Sequence, residues 1–429
     1  MIKPLALILA LLGCVNLARG AEADYLLALY KYLHANPELS FQEDNTAKRI
    51  TKELQDAGFE VTEKVGGHGI VALMENGDGP TVMLRTDLDA LPVEEQTGLP
   101  YASEVTATEQ TGQQVSVMHA CGHDIHMTAF VGAARTLAQQ RDRWQGTLMM
   151  IGQPAEERGA GARLMLDDGL FTRFPRPDYN LALHANANMP AGQVSLVSGW
   201  ALANVDSVDI SIFGVGGHGA YPHTTKDPVV IAASIIMNLQ TLVSREINPI
   251  EPAVVTVGSI HGGAKHNIIS DRVDLQLTVR SFSDEVREQL LAGIERVAKL
   301  QAKSFGLPED KLPEVAVKNE FTPSLWNDPD LTSKIRGVLE QDLGADNVLD
   351  LDPVMGGEDF SRYGRQEPPI PSLLMWLGAV KAATFAAAKK DKRDLPSLHS
   401  PFFAPEPEKT IDTGVKALTQ AALSLFKSH

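Results

Sequence analysis

Apolar positions along the chain alternate between short continuous runs and stripes at helical spacing. A helical stripe over 24–32 leads into polar 34–40, and a second over 44–57 stops at Gly58. Strand-like runs follow at 61–65, 70–74 and 81–84, punctuated by the Gly/Asn/Asp turn at 76–79. After a polar, loop-like stretch, Ile125, Thr128, Ala129, Gly132 and Ala133 mark a helix reaching about Gln139. Strand 146–152, helix 160–167 and strand 179–183, ending at His184, complete the first part. Such alternation predicts an α/β fold, a mixed or largely parallel sheet with helices on both faces. Ligands gather beyond strand ends in such sheets.

The pattern changes between about 198 and 319. Val208, Ile210 and Ile212 alternate with polar residues, as in a half-buried strand. Helix 228–243, strands 253–260 and 273–279, helix 283–304 and strand 314–318 follow. That β-α-β-β-α-β order predicts a ferredoxin-like α+β unit inserted into a larger domain. The outer domain therefore divides into 24–197 and 320–429, the latter with helix 331–343, loop 355–360, strand 372–377 and a last helix over 408–426. Alanine-rich 379–389 reads as a loop. A chain of 429 residues is long for one core, which agrees with two domains.

Residues 1–20 differ from the rest. Lys3 precedes an apolar 5–12, and small residues offer cleavage sites at 18–20 or 21–23. This reads as a secretory signal, too short to span a bilayer, so the product is expected to be exported, periplasmic or extracellular. The run 11–14 (LLGC) resembles a lipoprotein box with Cys14 as the acylated residue, but Leu12 fits it poorly and a soluble product is preferred. No later stretch reads as a membrane span. Losing Lys3 and Arg19 with the signal takes the formal net charge from −16 to −18. Such acidity, without a basic patch, excludes nucleic acid as a partner. With Cys14 removed, Cys121 has no disulfide partner, and a lone thiol in an oxidising compartment favours burial or coordination.

Cys121 lies in the densest chemistry of the chain, where His119, Cys121, His123, Asp124 and His126 fall within eight residues. Thiolate and imidazole at two-residue spacing suit a borderline-soft divalent metal such as zinc. A buried thiol among surface histidines is the bland alternative on this segment alone. Glu156 and Glu157 end a strand, where neighbouring side chains diverge; one carboxylate can bind metal while the other takes a proton from water. Alone, the pair reads rather as a solvated acidic turn; beside Cys121, His123 and His184 it does not. Asp87 suits a residue that orients a ligand, or a turn or cap. His184 and His399 are ambiguous by themselves. Gly214 to Gly219 fits G-x-G-x-x-G, but Pro222 interrupts the helix that should follow, and dinucleotide binding is rejected.

Eight collinear segments then carry a resemblance: 34–43 (HANPELSFQE), 85–92 (RTDLDALP), 119–126 (HACGHDIH), 153–157 (QPAEE), 216–223 (GGHGAYPH), 267–271 (NIISD), 355–360 (MGGEDF) and 398–401 (LHSP). The chain resembles the M20 metallopeptidase family, in the amidohydrolase branch of hippurate, N-acyl-amino-acid and auxin-conjugate hydrolases. The resemblance implies a metal-dependent exopeptidase-like sheet domain with an inserted lid and dimerisation domain, and a homodimer formed through that lid. It implies one or two divalent metal ions, zinc foremost with manganese, cobalt or nickel as alternatives, held by Cys121, His123, Glu157, His184 and His399. Glu156 becomes general base and acid, and His218 the oxyanion-stabilising histidine reaching across from the partner subunit. Asn267 and Arg280 face the substrate carboxylate; a solvent-facing strand residue is the bland alternative for Arg280. Asp124, His126 and Glu358 are supporting residues.

Two lid positions depart from the branch, Leu277 where glycine is usual and Ser270 where proline is usual; Cys121 replaces the bridging aspartate of the family's peptidases. The expected reaction is hydrolysis of the amide bond of an N-acyl amino acid or similar small conjugate. An exported dipeptidase or aminopeptidase on the same scaffold is the near alternative. A non-catalytic metal-binding protein would have no use for Glu156, and a thiol redox protein would lack a resolving cysteine.

Overall fold

The computed structural model describes residues 20–426. The signal-like segment, apart from Gly20, and Cys14 lie outside the described residues. Two compact units emerge: one comprises the described residues up to Gly199, Asn327–Asp352 and those from Tyr363 onward, the other Trp200–Trp326 with Pro353–Arg362.

The first unit is built on an eight-stranded mixed sheet. Its order is Glu60–Val65, Gly69–Asn76, Gly146–Gln153, Thr81–Asp87, Tyr179–Pro190, Ser372–Val380, Val194–Leu196, Val348–Asp350. The four strands from Gly146–Gln153 to Ser372–Val380 pair in parallel. Their apolar runs are continuous because both faces are covered. Val82, Leu84, Leu148 and Met150 join a core with Leu29, Phe130, Ile335 and Leu418, from four different helices. Met83, Met149 and Ile151, pointing the other way, are equally buried.

The second unit carries a four-stranded antiparallel sheet in the order Ala253–Gly262, Arg272–Ser281, Asn204–Phe213, Glu314–Val317. With two helices between the strands this is the ferredoxin-like arrangement. Val208, Ile210 and Ile212 share one face and pack against Ile231, Ile235 and Leu239 of helix Pro228–Thr241 and Leu290 and Ile294 of helix Asp284–Ser304. Each helix starts on a side-chain cap: Asp227 accepts the Val229 N–H, and Ser283 that of Val286.

Four details depart from the sequence reading. Residues 382–391 form a helix, Ala382–Asp391, where a loop was expected; the alanines that looked featureless are the best helix formers. The strand expected to end at His184 continues to Pro190, because Ser372–Val380 runs beside it and pairs Trp376 with His184 and Leu377 with Ala185. The segment Pro228–Glu246 is, by length and composition alone, apolar enough to cross a membrane, against the expectation of no later span; a third of its apolar window is buried in the protein. Finally, the loop holding Met355 to Phe360 groups with the second unit.

Candidate metal centre

Gly122 separates Cys121 from His123, the first residue of helix His123–Gln139. Its φ of 84° is left-handed, and an added Cβ would stand 3.1 Å from the Ala185 Cβ and 3.4 Å from the Phe403 ring. Only glycine fits this turn without strain. The turn brings Cys121 Sγ to 3.6 Å from His184 Nε2 and 3.3 Å from His399 Nε2. His399 itself sits at φ 66°, and its N–H donates to the Ala120 carbonyl at 2.9 Å. Glu157 lies 3.6 Å from His399 Nε2 and 3.8 Å from His123 Nε2; Glu156 is also 3.8 Å from His123 Nε2. Donor atoms of Cys121, His123 and His184 fall within 4.8 Å of one another, as do those of Cys121, Glu157 and His399. Cys121 belongs to both triplets.

Hydrogen bonds set the imidazoles. His123 Nδ1 donates to the Asp89 carbonyl at 2.9 Å, while its Nε2 is buried without a partner. His184 Nδ1 donates to the Ala185 carbonyl at 2.9 Å, turning Nε2 toward Cys121. In the neutral form that a metal binds, both rings present a lone pair inward. His126 does not: Nδ1 donates to Asp87 at 2.8 Å and Nε2 accepts the Ala185 N–H at 2.7 Å, so no lone pair is spare. Asp87, also bonded to Arg85 at 2.8 Å, therefore fixes His126, and the Asp89 backbone orients His123. Asp124 bonds His34 at 2.6 Å.

The charges around this cluster favour a cation. Burial disfavours a charged His123, yet Asp87, Asp89 and Glu157 outweigh it and push its pKa up to about 10. Burial raises Glu157 to about 7, against the opposing pull of His123. Burial, then His123 and His184, depress His399. Asp87 is held well below the usual range: burial opposes this, but His123, His126 and Arg85 prevail. A thiolate, imidazoles and carboxylates with orphaned inward atoms (His123 Nε2, Glu157 Oε1) fit divalent metal ions.

His218, Asn267 and Arg280 belong to the second unit. The short strand Gly217–His218 pairs with Ile268–Ile269, and Gly219 N–H donates to the Asn267 carbonyl at 2.8 Å, so His218 and Asn267 share one loop cluster. Only a single 3-10 turn, Pro222–Thr224, precedes helix Pro228–Thr241, in keeping with rejecting the glycine-rich decoy. The Ala220 N–H donates to His218 Nδ1 at 3.0 Å, which leaves Nε2 as the donor of the neutral ring. Arg280 is half-buried, donates to the Met355 carbonyl at 2.5 Å, and has no carboxylate partner among the described residues.

Two residues escaped the sequence reading although each stands in a quoted motif. Asp89 accepts the Glu157 N–H at 3.1 Å, and Glu43 accepts the Ala155 N–H at 2.7 Å. A carboxylate that holds a backbone N–H leaves no spacing signature in the sequence.

Residues 83–424 match the model of peptidase family M20/M25/M40. The putative amidohydrolase YhaA of Bacillus subtilis (strain 168) is 36% identical over 405 residues, covering 94% of both chains. The N-acetyl-L-cysteine deacetylase of the same organism is 37% identical over 340 residues, covering 79% of this chain and 77% of that one. The crystal structure of the Bacillus subtilis YXEP protein, described as a dinuclear metal binding peptidase from the M20 family, superposes with a TM-score of 0.76 at 29% identity, covering 96% of this chain and all of that one. The convergent thiolate, imidazoles and carboxylates thus sit in a chain that belongs to peptidase family M20/M25/M40, and it is a metal-dependent hydrolase of amide bonds.

Proposed function

We propose that this hydrolase cleaves N-acyl amino acids or similar small amide conjugates, releasing a carboxylic acid and an amino acid. The observation that carries the reading is the pair of donor triplets joined at Cys121, with Glu156 beside them. Cys121, His123, Glu157, His184 and His399 would hold one or two divalent ions. A metal bound there would supply Lewis-acid polarisation of the carbonyl and a lowered pKa for water. Glu156 takes the proton of the attacking water on its carboxylate and delivers it to the departing nitrogen as the C–N bond breaks. Asp87 holds His126, which in turn bonds the Ala185 N–H beside His184. His218 offers an Nε2–H to the oxyanion. The guanidinium of Arg280, without a carboxylate partner among the described residues, suits a substrate carboxylate together with Asn267.

Zinc is the metal this donor set favours. A homodimer through the second unit is supported by its surface. Val229, Val230 and Met237 expose an apolar stripe on helix Pro228–Thr241, and Ala253–Gly262 is an edge strand. A second copy would cover both, and its His218 would serve the opposite site. The signal-like 1–20 supports an exported, periplasmic or extracellular protein.

Purified protein of measured metal content is to be assayed against N-acetyl and N-benzoyl amino acids and free dipeptides. Amine release from the acyl substrates, abolished by chelator, is expected. Cleavage of dipeptides alone would transfer the chain to the peptidase alternative.

A further inference from the structure

One buried acid of the first unit is neither a metal ligand in this reading nor partnered with a cation. Glu43 is fully buried, and Oε1 accepts two backbone N–H groups, Phe41 at 2.9 Å and Ala155 at 2.7 Å. Oε2 is buried without a partner. Both donors are left-handed without being glycine: φ is 68° at Phe41 and 49° at Ala155. A side chain with a Cβ is sterically disfavoured there. It persists only where its surroundings hold it.

Ala155 opens the turn Glu156–Arg158, which Gly159 closes at φ 55°. The same turn carries both acids of the site. On its far side the Glu157 N–H is held by Asp89 Oδ2 at 3.1 Å. Carboxylates therefore grip the backbone immediately before and immediately after Glu156. A buried acid with an orphan oxygen is a poor way to stabilise a core, where an apolar side chain of similar size serves better. What it supplies is a fixed acceptor at a strained N–H.

We propose that Glu43 is a positioning residue of the hydrolase, whose carboxylate oxygen holds the left-handed Ala155 and thereby aims Glu156 and Glu157. This rests on the reading of Glu156 as the base and Glu157 as a ligand. The role needs an acceptor oxygen at the right reach. Glu43→Gln keeps it; Glu43→Ala removes it; Glu43→Asp keeps the carboxyl group but falls a methylene short.

The test compares wild type and the three variants in steady-state hydrolysis of N-acyl amino acids at saturating metal, and in calorimetric titration of the metal-free proteins with Zn2+. Glu43→Ala and Glu43→Asp are expected to lose about 10–100-fold in kcat and in Zn2+ affinity, the range for residues that orient ligands. Their KM should stay near wild type, and Glu43→Gln should recover most of both losses. Wild-type-like kcat and Zn2+ affinity in Glu43→Ala would overturn the proposal, and so would Glu43→Gln as impaired as Glu43→Asp. If Glu43→Ala does not fold, the Gln and Asp pair carries the same contrast. A wild type that binds Zn2+ but cleaves no amide overturns the function reading alone, and the Zn2+ affinities still decide this one.

Discussion

Replacing Glu156 by Gln removes a proton acceptor while leaving side-chain volume almost unchanged. Positioned acid–base groups contribute about 10²–10⁴ in rate. At ~1.36 kcal/mol per tenfold, that is roughly 3–5 kcal/mol of barrier. Glu156 is only 8% exposed, so little water can enter to substitute as base, and the loss belongs in the upper half of the range. Metal content should not change, because Cys121, His123, His184, Glu157 and His399 are untouched. Amine release from an N-acyl amino acid is followed over pH 6–9, with metal measured by elemental analysis of the same preparation. Activity within tenfold of wild type would refute the proton-transfer role. Loss of a metal equivalent would refute the division of labour within the acid pair, since Glu156 also lies within coordinating reach of His123 and Glu157.

Three further outcomes are expected. Arg280→Met should raise KM for substrates with a free carboxylate by about 10–100-fold, as for a charge-assisted hydrogen bond worth ~1.5–3 kcal/mol, with a smaller effect on kcat; equal effects on the carboxamide analogue would disprove it. His34 lies between Asp124 and Glu95 at 2.6 and 3.0 Å, and although burial opposes its charge, the two acids raise its pKa to about 10. Its stabilisation is therefore complete below pH 6.5, its ordinary value, and lost as pH rises toward 10, so metal-free wild type should lose Tm across that window more steeply than His34→Gln; parallel curves would contradict this. Asp206 is fully buried, with Arg287 nitrogens at 2.8 and 2.6 Å, so Asp206→Ala should cost about 2–4 kcal/mol, toward the lower side of buried pairs because Arg287 is partly exposed. An unchanged urea midpoint would refute that estimate.

The strand and helix periods were readable because burial writes them: continuous apolar runs for strands covered twice, alternation for the one-faced sheet at Val208–Ile212. Cys121, His123 and the Glu156–Glu157 pair pointed to metal chemistry only when taken together with His184 and the collinear motifs. What the residues could not disclose is set by long-range pairing. Whether His184 ends a strand depends on Ser372–Val380, nearly 200 positions later. The spent nitrogens of His126 depend on Asp87 and the Ala185 N–H, and no local pattern separates it from His123, the proposed ligand. Glu43 and Asp89 were invisible as anchors because their partners are main-chain N–H groups, which every residue but proline carries.

His399 reaches the cluster from a segment 215 positions after His184. A nascent or translocating chain that has emerged only to residue 380 owns the thiol, two of the imidazoles and both acids, yet lacks the last imidazole and helix Pro407–Leu425 that completes the core. With His399 as a ligand, full coordination would wait until that segment has emerged, making metal loading a late event. In an exported protein, that delay would leave the choice of ion to the compartment of arrival.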